Sequence, residues 1–179
     1  MEYPIQKYTM SRVKKIILIS LLVSQAMVLS FIESMIPLNF SVPGAKLGLA
    51  NIVTLTSLYL FSFRETLLII VLRTVMTAFI SGSFSMFLYS ISGALLSFLM
   101  MYLLIHFASE KVSTVGVSIV GAIFHNLGQL AMAALIIQNI KIVLYLPFLM
   151  VAGIATGFIV GASVKYLMKY LMRVKYITL

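Results

Sequence analysis

The chain contains no cysteine and no aspartate. Without cysteine there is no disulfide, no thiolate nucleophile, no iron–sulfur cluster and no Cys-ligated zinc. Charge of either sign is scarce: 9% of the 179 residues are charged, and four glutamates make up the acidic share. Together with two histidines, that is poor material for a metal site or for acid–base catalysis. No glycine-rich phosphate loop, basic stripe interleaved with aromatics or low-complexity arm occurs, which argues against a nucleic-acid partner. What fills the chain is apolar, 62% hydrophobic residues at a mean hydropathy of +1.14, more than a water-exposed surface tolerates. The length suits one domain, and the composition assigns it to a lipid bilayer.

A membrane-crossing helix needs roughly 20 mostly apolar residues. Charges, prolines and glycine–serine clusters cut the chain into six such pieces, at about 16–36, 47–63, 66–80, 84–107, 113–137 and 142–167. The expected architecture is therefore an all-α integral membrane protein, a compact bundle of six transmembrane helices in a single domain over residues 1–179. The first apolar stretch is too long for a signal-peptide core and lacks a small-residue cleavage site, so it reads as a retained span.

The basic residues supply an orientation, because cytoplasmic flanks hold the Lys/Arg excess. Lys7, Arg12, Lys14, Lys15, Arg64, Lys111, Lys165, Lys169, Arg173 and Lys175 fall on one side, against Lys46 and Lys141 on the other. Both termini are thus expected in the cytoplasm, and the net charge of +9 is mostly a topology signal. The basic tail, 168–179, carries Tyr170 and Tyr176 and follows Tyr166. It reads either as an interfacial extension of the last helix on anionic lipid or as a solvated cytoplasmic end.

Polar residues inside the membrane are costly and usually face a cavity or the bundle interior. Arg73, nine residues beyond Arg64, lies about 14 Å from the inner boundary at 1.5 Å rise per residue. The same arithmetic puts Gln25 about 15 Å deep and His125 about 18 Å deep. Asn126 lies slightly further out, and Gln129, one turn on, shares the His125 face. Asn51 is about 7–8 Å inward from Lys46. Glu33, roughly 27 Å from Lys15, is expected to stand too high for a direct pair with Arg73. Polar side chains also bond helices to one another, and for Gln25 and Asn51 that reading is the stronger. An arginine without a carboxylate at its depth points instead to a polar cavity or an anionic ligand. The expected pocket lies between the first loop, 37–46, and the third and fifth helices. Arg73 is its deep anchor, His125, Asn126 and Gln129 are hydrogen-bonding partners, and Glu33, Asn39, Lys46 and Asn51 lie around the outer end.

Small residues at every fourth position let helix backbones approach closely. Gly153, Gly157 and Gly161 form one such row, Ser20 with Ser24 a second, and Ala26 with Ser30 a third. Each row serves internal packing or docking of another membrane protein.

The segment Pro43-Gly44-Ala45-Lys46-Leu47-Gly48-Leu49-Ala50-Asn51, with the six-span layout and the His125-Asn126 pair, resembles the signature of the Gx transporter family. That family is also described as heptaprenyl diphosphate synthase component I. The resemblance implies a relation to the substrate-binding S components of energy-coupling factor (ECF) importers, which are multi-pass proteins of the bacterial cell membrane. Such a subunit captures a small-molecule micronutrient near the outer face. It associates with a transmembrane coupling protein and paired ATPases, so ATP is used by those partners and no cofactor is bound directly. The small-residue docking face of the first helix would fall on Ser20-Ser24 or Ala26-Ser30 rather than on the usual alanine pair. The synthase description suggests prenyl diphosphate chemistry, but that enzyme class needs aspartate-rich magnesium sites, which this chain cannot supply. The expected role is a non-enzymatic uptake subunit for a small, partly apolar ligand, with an anion or an isoprenoid- or quinone-like compound as candidates. The alternative is a non-catalytic membrane partner of an enzyme of prenyl diphosphate, quinone or flavin metabolism. A standalone proton-coupled carrier is disfavoured, since no chain of intramembrane carboxylates exists.

Overall fold

A computed structural model describes residues 11–35, 48–108 and 111–171. Among these every regular element is helical: α1 Arg12–Met35, α2 Asn51–Leu60, α3 Phe63–Ser81, α4 Phe84–Phe107, α5 Thr114–Ile137 and α6 Leu146–Leu171. A 3₁₀ segment, Ile140–Tyr145, leads into α6. Asn39, Lys46, the rest of the first loop and the end of the basic tail lie outside the described residues.

Local chemistry sets the helix boundaries. Ser62 opens α3 with a capping box, its backbone N–H donating to Glu65 Oε2 at 2.9 Å, so two orphan donors of the first turn are satisfied at once. Gly82, at φ +62°, closes the same helix in the left-handed conformation that glycine adopts without penalty. Ser83 and Ser113 accept from Met86 N and Gly116 N and cap α4 and α5.

The α3 capping box explains a departure from the sequence expectation. Residues 47–63 read as one span, but Gly48 sits at φ +82° before a turn, and Phe61 and Ser62 are extended. The helix ahead of this break is only Asn51–Leu60, about 15 Å at 1.5 Å per residue, half the thickness of a bilayer core. Nine of these ten residues are buried, and α2 touches α1, α3, α4, α5 and α6. It is the central post of the bundle. Among the described residues four units are long and apolar enough to cross a membrane: α1, α4, α5 and Ile140–Leu171.

Apolar side chains cover the outside, with Phe79 and Leu144 80% exposed and Phe107 79%. Surface of this kind calls for a lipid or protein cover. Inside, α5 is the hub between α4 and α6. A Cβ added at Gly157 would stand 2.6 Å from Ile119 Cα, and one at Gly161 2.7 Å from Val115 Cα. The Gly153-Gly157-Gly161 row therefore serves internal packing of α6 on α5. Across α4 and α5, Gly128 approaches Gly93 equally closely, and Ser92 Oγ donates to Gly128 O at 3.1 Å.

Candidate functional site

The site begins where the chain re-enters the bundle after the first loop. The positive φ of Gly48 turns its N–H toward α1, where it donates to Glu33 Oε1. A side chain at Gly48 would meet Asn51 Nδ2 at 2.9 Å and His125 Cδ2 at 3.4 Å. The glycine-containing turn thus lies directly on the first residue of α2 and on α5. Gly93 of α4 performs the same service from the other side, since a Cβ there would stand 2.8 Å from Gln129 Cγ and 3.2 Å from His125 Cε1.

Glu33, Asn51, His125 and Gln129 are each at most 4% exposed and are drawn together around Gly48 and Gly93. Both polar atoms of the Asn51 amide are buried without a hydrogen-bond partner. Such groups cost free energy unless something satisfies them. Asn126 is turned elsewhere: its Nδ2 donates to Leu149 O of α6 at 2.7 Å, where it ties two helices together. The expected His125-Asn126-Gln129 trio is therefore divided, with His125 and Gln129 facing α4 and Asn126 facing α6.

Arg73 is 2% exposed, and the Glu33 carboxylate acts on it electrostatically. The sequence expectation places Glu33 too high for a direct pair with Arg73; the two groups nonetheless act on each other electrostatically. Counting axial rise compares Cα levels on parallel axes, whereas the long arginine stem and the glutamate side chain close much of an axial gap, and a tilt between α1 and α3 closes more. Arg73 Nε and Nη2 are buried without a hydrogen-bond partner.

On α1 the two small-residue rows separate. Ser20 and Ser24 are exposed, whereas Ala26 and Ser30 are buried against the bundle. Gln25 is exposed as well and lines a cavity of about 350 Å³ beside α2 and α6. Near the start of α1, Lys15 Nζ lies 2.7 Å from Glu65 Oε1 and joins α1 to α3. Partial burial pushes the Glu65 carboxyl up, but Lys15 and the Ser62 backbone outweigh this and hold it below its ordinary value.

Sequence reasoning missed Gly93, which makes room for His125 and Gln129, although the small run Ser92-Gly93-Ala94 in α4 was a usable signal. It also missed the hydroxyls of Thr77 and Ser81, which line a cavity between α1, α3 and α4; that placement depends on tertiary packing. Among the described residues no three His, Cys, Asp or Glu side chains converge to hold a metal ion.

The sequence model of the family described as heptaprenyl diphosphate synthase component I matches residues 22–167. Parallel comparisons with curated proteins and with solved structures gave no match.

Proposed function

Because the chain belongs to the heptaprenyl diphosphate synthase component I family, we propose that it is a non-catalytic, membrane-embedded binding subunit. In this reading its six helices form a bundle in the bacterial cell membrane, with both termini in the cytoplasm. It takes up a small, partly apolar ligand from outside, as S components of ECF importers do, and leaves ATP hydrolysis to partner ATPases attached through a coupling protein. The observation that carries the reading is the buried Asn51 amide, without hydrogen-bond partners and set against His125 where the first loop re-enters the bundle. A ligand amide, carbonyl or hydroxyl would satisfy it. The incompletely partnered Arg73 supports an anionic group on that ligand. The Ser20-Ser24 face of α1, small and exposed, supports close approach of a helical partner.

Asn39 and Lys46 belong to the proposed site as its loop contribution. A second reading rests on the family description itself, which names a component of a synthase: the chain would then anchor a prenyl-chain enzyme at the membrane. Co-purification of the full chain from its native membrane separates the two. Coupling-protein and ATPase subunits support uptake, and a soluble prenyl diphosphate synthase without them overturns it. Orientation is tested by cysteine labelling of intact cells. A cysteine at Asn39 should react with an impermeant reagent and one at Lys175 should not; the reverse pattern refutes the topology.

A further inference from the structure

Between α1, α3 and the first turn of α4 lies a groove of about 580 Å³, within the range of ligand pockets, roughly 300–1,000 Å³. Half of its described lining residues carry a hydroxyl and none is charged. Phe31 and Met86 at its mouth are exposed on the apolar outside of the bundle, so entry is sideways. The groove shares no described lining residue with the polar cluster around Gly48. Glu33, although next to Ser34 in sequence, is turned to Gly48 N.

The hydroxyls differ in what they can still do. Ser24 donates to Leu21 O, Ser34 to Phe31 O and Ser81 to Ala78 O. Each has given its proton to its own helix and offers the groove lone pairs alone. Ser30 is 5% exposed and makes no such bond among the described residues. Its oxygen borders the cavity, whereas that of Thr77 is fully buried, so recognition falls to the serines. A wall of acceptors with one free hydroxyl suits a head that donates hydrogen bonds. A charged head would enter with no opposite charge to meet it, which is costly away from water. Ser34 and Ser81 stand in the last turns of α1 and α3, and Met27 lies about 10 Å further along α1 by helix rise. The groove therefore has a hydroxyl-rich end and an apolar end.

We infer that this groove receives a neutral single-chain amphiphile with a hydroxyl-bearing head. The head meets Ser30, Ser34 and Ser81, and the chain runs past Met27 and Met86. The inference goes beyond the binding-subunit reading and does not depend on it, since it uses none of the residues of the polar cluster. It is tested with monolauroylglycerol carrying a photoreactive diazirine in its chain, added to the full protein in phosphatidylcholine nanodiscs. Labelling should saturate, map to Met27, Val28 or Met86, and be displaced by unmodified monolauroylglycerol but by neither dodecane nor ionised laurate. S30A should weaken binding about fivefold, the loss expected for one neutral hydrogen bond. S34F, at an exposed position, fills the hydroxyl-rich end and should weaken it about tenfold or more, and both variants should melt close to wild type. Labelling that does not saturate or maps elsewhere overturns the inference. So does equal displacement by dodecane, which would show that the groove reads an ordinary acyl chain, or by laurate, which would show that it accepts an anion. Unchanged affinity in either folded variant overturns it too, and S34F decides alone if S30A does not fold.

Discussion

The two halves of the bundle are held together by different physics. In the α4–α5–α6 half, glycines bring backbones to contact, so that Gly157 has no room for a methyl against Ile119 Cα. In the α1–α3 half an ion pair, Lys15 with Glu65, joins the two helices near the start of each, the buried Arg73 feels the charge of Glu33, and a cavity of about 580 Å³ lies beside them. Shape-held contacts tolerate few arrangements, because close-packed surfaces lose dispersion contacts with small displacements. Charge-held contacts next to free volume can exchange partners. The first half is thus suited to be a scaffold that holds His125 and Gln129 in place, and the second to respond.

The sharpest way to break this comparison is to neutralise one of the two buried charges, Glu33 or Arg73. E33Q or R73M alone strands a buried charge and should cost about 3–5 kcal/mol, read as a large fall in melting temperature and yield. The double variant E33Q/R73M should recover most of it. Independent, additive losses would show that the two residues do not form a unit. In the opposite half, G157V should cost about 1–3 kcal/mol or more by overpacking against backbone, with no rescue available from charge changes. A G157V protein with wild-type melting would show that the scaffold half is not tightly packed.

Smaller effects sharpen the account. Glu65 is held below its ordinary carboxyl value of 4.5, so the folded state binds its proton less readily than the unfolded state. The Lys15–Glu65 contribution is then fully present above the unfolded value and lost as pH falls through the lower, folded one. For a partly exposed pair it is worth about 0.2–1 kcal/mol, and E65Q should flatten that segment of the stability–pH curve; an unchanged curve would remove the pair from the account. Smallest of all for stability is the S20L/S24L double variant, within about 0.5 kcal/mol because both residues are exposed. It should nonetheless abolish co-purification of partners, and intact co-purification would refute the docking role of that face.

What the sequence made legible was set by how local the signals are. Segments 84–107 and 113–137 coincide with α4 and α5 to within a residue, because Ser83 and Ser113 are caps that act on their own first turns. Segment 47–63 misled because an apolar run reveals burial but not what surrounds it, and α2 is buried by five neighbouring helices rather than by lipid. Asn51, His125 and Gln129 could be named from depth and spacing, and the structure brings them together. That Asn126 would turn to Leu149, and that Glu33 would act on Arg73, depends on helix rotation and side-chain reach, which residue counting along separate helices does not contain. The two small rows on α1 were equivalent as sequence patterns, and only the packing of α1 on α3 buries one and leaves the other exposed.

The central claim is that the buried polar cluster holds a ligand. The most direct measurement is mass spectrometry of small molecules released from gently purified protein, comparing wild type with N51A and with the charge-neutral E33Q/R73M pair, all shown to be folded by melting. The account predicts one compound near equimolar in the wild type, depleted at least tenfold in both variants. The same compound retained undiminished in both folded variants would contradict it.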